Sequence, residues 1–341
     1  MRRPRSRPTR RRSRSVLIVL AGLLLVLIAS GIGVFVMPGP AARSGVSTRL
    51  VFPTGAGLPG IAKGLERGGV VRSALLFMAG AKLSGASRSL KAGEYDFPNH
   101  ASMAAVMAQI RDGRIVRHSL TIPEGFSSGQ VLAVLRAAPE LAGYIAQPPE
   151  GAILPETYQV VWGETRAHVL ARMRAARDAL LARLWAGRRP GLPYRSPDEA
   201  VILASIVEKE TALTSERPHI AAVFLNRLAK GMRLESDPTV VYGLTGGQPL
   251  GHGLRVSELQ HQTPYNTYLI AGLPPTAIAN PGRAALVAAL DPAPSSDLYF
   301  VADGTGGHVF SSDIATHLKN VARWRGIEQA RNAAAAKAPA P

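Results

Sequence analysis

The chain of 341 residues contains no cysteine, which excludes disulfide scaffolds, zinc fingers, iron–sulfur ligation and a cysteine nucleophile together, while leaving the redox compartment undecided. There is no G-x-S-x-G elbow for a serine nucleophile. The glycine-rich stretch Asp303-Gly304-Thr305-Gly306-Gly307 is followed by no GK[ST] and joins two strands, so it is not a phosphate loop. The eight histidines have no metal-ligand spacing, and His308 and His317 read as structural. There is no internal repeat. Acids are also scarce, with 23 Asp+Glu against 40 Lys+Arg for a net charge of +17. A charge of that size first suggests nucleic acid as partner.

The position of the charge removes that reading. Met1 to Ser15 holds eight arginines and no acid, and setting them aside leaves +9 over the rest. The uncharged run Val16 to Met37 is 22 residues long, and about 20 apolar residues span a bilayer as a helix. A cleaved signal peptide is the alternative, but the run is long for its ~7–15-residue apolar region. A retained anchor then puts the arginines in the cytoplasm and residues from about 41 onward across the membrane. Nucleic acid drops out as a partner.

Residues 47–117 read as a small module. Leu50 to Phe52 and Tyr95 to Phe97 are strands, and Leu58, Ile61, Ala62 and Leu65 form an amphipathic stripe. A second helix is expected over Val70 to Ala81, and a third carries Met103, Val106, Met107 and Ile110 up to Gly113. The order of strands and helices resembles a LysM-type glycan-binding module, with a plain structural domain as the alternative. A strand over Ile115 to Ile122, a helix from Ser128 to Leu135 and an irregular segment, EGAILPETYQVVWG, come next, then a long helix from Thr165 to Trp185. The last residues, 327–341, read as a disordered Ala/Pro tail.

The best-specified element begins at Ser196-Pro197-Asp198-Glu199, where a capping box, proline in the first turn and early acids coincide. Counting on, Leu203, Ile206, Val207 and Glu210 share one face, while Glu208 turns towards solvent. A carboxylate on a buried face is costly unless paired or protonated, and desolvation raises its pKa towards the range of a general acid. Glu210 is therefore the candidate catalytic residue, the alternative being a helix end paired with Arg217 or Arg227. Glu216 reads as an acid at the positive end of the next helix. Asn226, Arg227, Asp237, Tyr242, Tyr265, Asn266 and Tyr268 cluster in the following segments. Their ring faces and amides suit a sugar, with helix capping by Asp237 and ordinary tyrosine packing as the alternatives.

These segments resemble the endolytic murein transglycosylases of the YceG-like, MltG type. The resemblance is carried by the block ILASIVEKETALTSERPHIAAVFLNRLAKGMRLESDPTVVYGL from Ile202 to Leu244, by EGAILPETY, by TPYNTYLIAGLPPTAIANPG and by LYFVADGTGGHVFSSDIATH. It implies an enzyme held in the inner membrane, with its catalytic domain in the periplasm, that cuts nascent peptidoglycan strands internally and needs neither cofactor nor metal. It places the essential glutamate at Glu210. Peptidoglycan strands, the membrane and peptidoglycan synthases are the implied partners. Leu154, Glu156 and Glu235 depart from the family's usual aromatic, aspartate and glutamine. The extra acid leaves open whether Glu235 or Asp237 assists Glu210. A hydrolase using a second carboxylate, or a non-catalytic wall-binding module, are the competing readings.

The expected fold class is α+β. It comprises a basic tail (1–15), a single N-terminal transmembrane helix (16–37), a linker (38–46), a small LysM-like module (47–117) and a mixed α+β catalytic domain (118–326).

Overall fold

The computed structural model describes residues 10–42 and 45–337, so the expectations for the first arginines and the last prolines lie outside the described residues. The chain forms two compact units, one of residues up to His118 with Val161–Gly163, the other of Ser119–Val160 with the residues from Glu164 on. The architecture is mixed α+β, and its strands lie in three two-stranded sheets among the described residues.

In the first unit, α1 (Arg10–Val36) contains a 21-residue span, Val16–Val36, long and apolar enough to cross a membrane, with mean hydropathy 2.8. Then follow β1 (Ser47–Phe52), α2 (Leu58–Arg67), α3 (Ala74–Leu83), β2 (Gly93–Pro98) and α4 (Met103–Asp112). β1 and β2 pair antiparallel, Leu50 opposite Tyr95. Ile61, Ala62 and Leu65 of α2, Phe77 of α3 and Val106 and Ile110 of α4 pack on Phe52, Tyr95 and Phe97. The side chains of Ser73 and Ser102 cap α3 and α4. The second helix starts four residues later than its hydrophobic pattern suggests, because Ser73 is the residue that takes the capping position.

The second unit opens with β3 (His118–Thr121) and α5 (Ser128–Ala137), which starts in a capping box between Ser127 and Gln130. The segment read as irregular contains β4 (Thr157–Val160), which pairs with β3. After α6 (Arg166–Ala186) come α7 (Pro197–Glu210), α8 (Arg217–Ala229), α9 (Asp237–Thr245), α10 (Val256–Leu259) and α11 (Arg283–Leu290). The hairpin of β5 (Tyr299–Ala302) and β6 (His308–Ser311) precedes α12 (Ile314–Lys337). Residues Ala330–Lys337, expected to be without order, continue α12. Alanine has the highest helix propensity of any residue, and the first proline of that stretch comes only after the described residues end.

α7 is the centre of this unit. Ala200, Val201, Leu203, Ala204, Ser205, Ile206 and Val207 are all buried, packed with Ile220, Ala221 and Phe224 of α8 and Leu286 and Ala289 of α11. Seven buried residues in eight positions wrap the whole circumference of a helix with 3.6 residues per turn. The expectation that Glu208 faces solvent is therefore overturned, for its side chain is 4% exposed. It accepts from Arg217 at 2.7 Å and from the Gly282 amide at 2.9 Å, and Arg217 also reaches Glu124 at 3.3 Å. Burial raises the Glu208 pKa, and the Gly282 bond and the Arg217 charge oppose that rise.

Removing one partner of such a pair strands the other charge in the interior. Arg217→Met is expected to lower the stability of the chain by about 3 kcal/mol, read as a lower midpoint in urea unfolding.

Candidate active site

Glu210 is the last residue of α7 and the backbone turns extended at Thr211. The residue is partly buried, and among the described residues no arginine forms an ion pair with its carboxyl. Its hydrogen bond comes from the Ser236 hydroxyl, a very short contact onto Oε1. Burial pushes the carboxyl up to about 7; the Ser236 bond pulls it down, the nearby Asp237 charge pushes it up and Arg227 pulls it down. The acid is therefore divided between its two protonation states near neutral pH.

Ser236 was not among the residues expected in the site. It sits at the N-cap of α9, where a serine normally accepts from an amide of the first turn, yet α9 has no side-chain cap. Its main chain is held from both sides: the Ser236 amide donates to Thr267 Oγ1 at 2.9 Å, and its carbonyl accepts from Thr239 Oγ1 at 2.6 Å. The two threonine hydroxyls lie 2.8 Å apart, and both residues are fully buried. Glu235, just before, adopts a left-handed backbone with φ of 52°, unusual for a residue with a side chain. The clamp and the turn together aim one hydroxyl at Glu210. The only sequence signal was the serine of Glu235-Ser236-Asp237-Pro238, which reads as a cap.

The residues expected to hold substrate divide into two groups. Asn226 donates to the Ser295 and Asp297 carbonyls at 2.9 and 3.0 Å, and Asn266 donates to those of Leu259 and His261 at 2.9 and 2.8 Å. Arg227 is buried, bonded to the carbonyls of Leu298, Arg233 and Leu234, and lies 3.1 Å from Glu235. In this structure these three brace the loops around Glu210. The others are nearer the surface. Asp237 accepts from the Tyr268 hydroxyl at 2.6 Å, and Tyr242 meets Tyr265 edge-on at 4.8 Å. Burial raises the pKa of Tyr242, and also that of Tyr268, which Asp237 raises further.

Asp237 and Tyr242 line a cavity of about 390 Å³ with Ser127, Gln130, Lys209 and Gln248; Lys209 directly precedes Glu210, and Asp237 directly follows Ser236. Behind Tyr242, Glu150 accepts from the Ser128 amide at 2.8 Å, and burial raises its pKa. Asn280, at the end of the TPYNTYLIAGLPPTAIANPG segment, donates to the Phe126 carbonyl and Ser128 hydroxyl and accepts from the Ile153 amide, at 3.0, 3.2 and 3.3 Å. Glu216, expected to serve the helix dipole, receives both the His308 amide and its Nδ1, each at 2.8 Å, which ties α8 to the β5–β6 hairpin.

The fold and the site define a mixed α+β protein with a partly buried acid at the end of α7 and a cavity lined by Lys209, Asp237 and Tyr242. Residues 50–323 match the model of the YceG-like family, and the chain belongs to that family. It is 28% identical over 328 residues to a protein of Streptococcus pneumoniae serotype 2 (strain D39) named endolytic murein transglycosylase, covering 80% of this chain and 57% of that one. The chain thus spans little more than half the length of that relative. A protein of the same name from Bacillus subtilis (strain 168) is 28% identical over 310 residues, covering 81% of this chain and 84% of its own length. A crystal structure of a yceG-like protein from Listeria monocytogenes is also similar, with a TM-score of 0.50, 29% identity, and coverage of 81% of this chain and 99% of that chain.

The Ser236 hydroxyl stabilises the carboxylate form, so Ser236→Ala is expected to move the Glu210 titration upward from about 7. Carboxyl ¹³C NMR of the two proteins measures it. Because the folded-state pKa is raised, the stability linked to this proton is present at low pH and lost as pH rises through about 7. Wild type is accordingly expected to lose stability relative to Glu210→Gln over that range in thermal melts.

Proposed function

We propose that the chain is a membrane-anchored endolytic lytic transglycosylase with Glu210 as its catalytic residue. The observation that carries this is a carboxyl pushed up to about 7 while its acidic neighbours are engaged, Glu235 with Arg227 and Asp237 with Tyr268. The names of the relatives support the same chemistry. Protonated Glu210 donates to the glycosidic oxygen between N-acetylmuramic acid and N-acetylglucosamine as the C1–O bond breaks. The C6 hydroxyl of the same muramic acid then attacks C1, and its proton returns to Glu210. The product is a 1,6-anhydro end, and water takes no part.

An ordinary glycosidase uses two carboxylates, one as acid and one as nucleophile or base on water. An internal hydroxyl makes the second unnecessary, and one residue serving as acid and then base works best with a pKa near the working pH. Tyr242, Tyr265, Asp237 and Tyr268 are proposed to hold the glycan at the open side. Asn226, Arg227 and Asn266 act behind them, keeping the loops and the Glu210–Ser236 pair in place.

The span Val16–Val36 supports a single-pass anchor, with the arginine tail cytoplasmic and the catalytic domain periplasmic by the positive-inside rule. The β–α–α–β order of the first unit supports a LysM-like glycan-binding role. Cutting nascent strands near the membrane would terminate or size them during elongation, with peptidoglycan synthases as partners.

Purified uncrosslinked glycan strands test the reading. Wild type is expected to release 1,6-anhydro ends by mass spectrometry, and reducing ends would show a hydrolase instead. Glu210→Gln is expected to lose about 10²–10⁴-fold in turnover, the usual contribution of a positioned acid–base group, while still binding strands. A pure binder would have no turnover to lose. Wild-type kcat/KM is expected to fall as pH rises through about 7, since the acid must start protonated.

A further inference from the structure

Within the first unit, α3 presents a largely exposed apolar face, bordered on one side by the end of α1. Leu75 and Leu83 are 74% and 90% exposed, and Leu76 and Ala79 continue the same face. The opposite face of the helix, Ala74, Phe77 and Ala81, is buried in the module's core. In water, three leucines exposed on a ten-residue helix are unfavourable, and contiguous apolar surface of this kind marks a contact with another apolar phase.

The neighbour of α3 identifies that phase. Ile28, Ile32 and Phe35 of α1 and Leu76, Ala79 and Leu83 of α3 line one apolar crevice of about 450 Å³. The Phe35 ring lies against Gly80, where a Cβ would overlap it. The chain leaves α1 without a free tether. The Gly39 amide donates to the His100 carbonyl at 3.0 Å and the Ala42 amide to Asn99 Oδ1 at 2.6 Å, which pins the module to the end of the helix. At 1.5 Å per residue the 21-residue span is about 31 Å long, one hydrocarbon thickness, and Ile28 lies about 12 Å before its end. Whatever surrounds the last two turns of α1 therefore surrounds the exposed face of α3. Arg72, Lys82 and Arg88 are exposed around it, long cations that reach from an apolar surface to anionic headgroups.

We propose that α3 is an interfacial helix, its Leu75, Leu76, Ala79 and Leu83 face immersed in the lipid leaflet that surrounds the C-terminal end of α1, with acyl chain filling the crevice. The inference rests on α1 crossing the bilayer. It makes the first unit a monotopic module sitting on the membrane, in addition to whatever it binds in the wall.

The absence of cysteine makes the test direct. Leu83→Cys, Ile28→Cys and Ser312→Cys, each in the full chain, give single thiols for an environment-sensitive nitrobenzoxadiazole label. The proteins are reconstituted in phosphatidylethanolamine–phosphatidylglycerol vesicles, and Ser312 is the exposed reference. The Leu83 probe is expected to be quenched several-fold more than the Ser312 probe by lipid carrying a nitroxide on its acyl chain, and to be shielded from aqueous iodide. A Leu83 probe that behaves like Ser312 while Ile28 is quenched by lipid overturns the inference and leaves the anchor standing. If the Ile28 probe is also in water, the anchor fails with it. A Leu83 probe shielded from iodide but untouched by nitroxide lipid also overturns the proposal, since protein would then cover the face.

Discussion

The second unit depends on the burial of α7 around its whole circumference. Its sequence ends Glu208-Lys209-Glu210, so two carboxylates two residues apart are carried towards an interior where an unpaired charge is not tolerated. The fold deals with them differently. Glu208 receives an arginine and a backbone amide, and Arg217 in turn binds Glu124, so that charge becomes a structural tie between α7, α8 and two loops. Glu210, among the described residues, receives a hydroxyl alone. The same desolvation acts on both, but only one is compensated by a full opposite charge, and that difference separates a brace from an acid.

The loops around Glu210 follow from the need to hold that hydroxyl still. Thr239 and Thr267 are buried and join their two segments, Asn266 ties its own loop to Leu259 and His261, and Arg227 gathers three carbonyls from two separate stretches. Polar groups at this density would be costly if any were left unpaired. Paired, they give the rigidity that positioned proton transfer requires. Tyr242 and Tyr265 pack on one another beside these loops, with Tyr242 on the cavity wall.

What could be read from the sequence was local. The start of α7 is set by Ser196 and its neighbours, the β5–β6 hairpin by its glycines and the place of Glu210 by counting from Leu203; each needs only a few adjacent residues. Glu208 was misread because periodicity identifies one apolar face and cannot reveal that α8, α11 and the loops close over the others. β4 was invisible because its partner β3 lies far back in the chain. Asn226 and Asn266 have the chemistry of sugar contacts, and only the fold shows carbonyls already occupying their amides. Ser236 was hidden for a different reason: its local pattern states a cap, and a residue 26 positions away claims the hydroxyl instead.

That last feature has a conformational consequence. With the main chain of Ser236 fixed by two threonines, χ1 is the one torsion left to it, with three staggered wells. That torsion sets the hydroxyl on Glu210, while the Thr239 amide at the start of α9 bonds the Ser236 carbonyl instead of its side chain. The protonation of Glu210 sets the strength of its bond to that hydroxyl, because a carboxylate attracts the hydroxyl more strongly than a neutral acid does. The charge on Glu210 is thus joined through a single hydroxyl to the residue that begins α9, the helix that carries Asp237 and Tyr242 to the cavity.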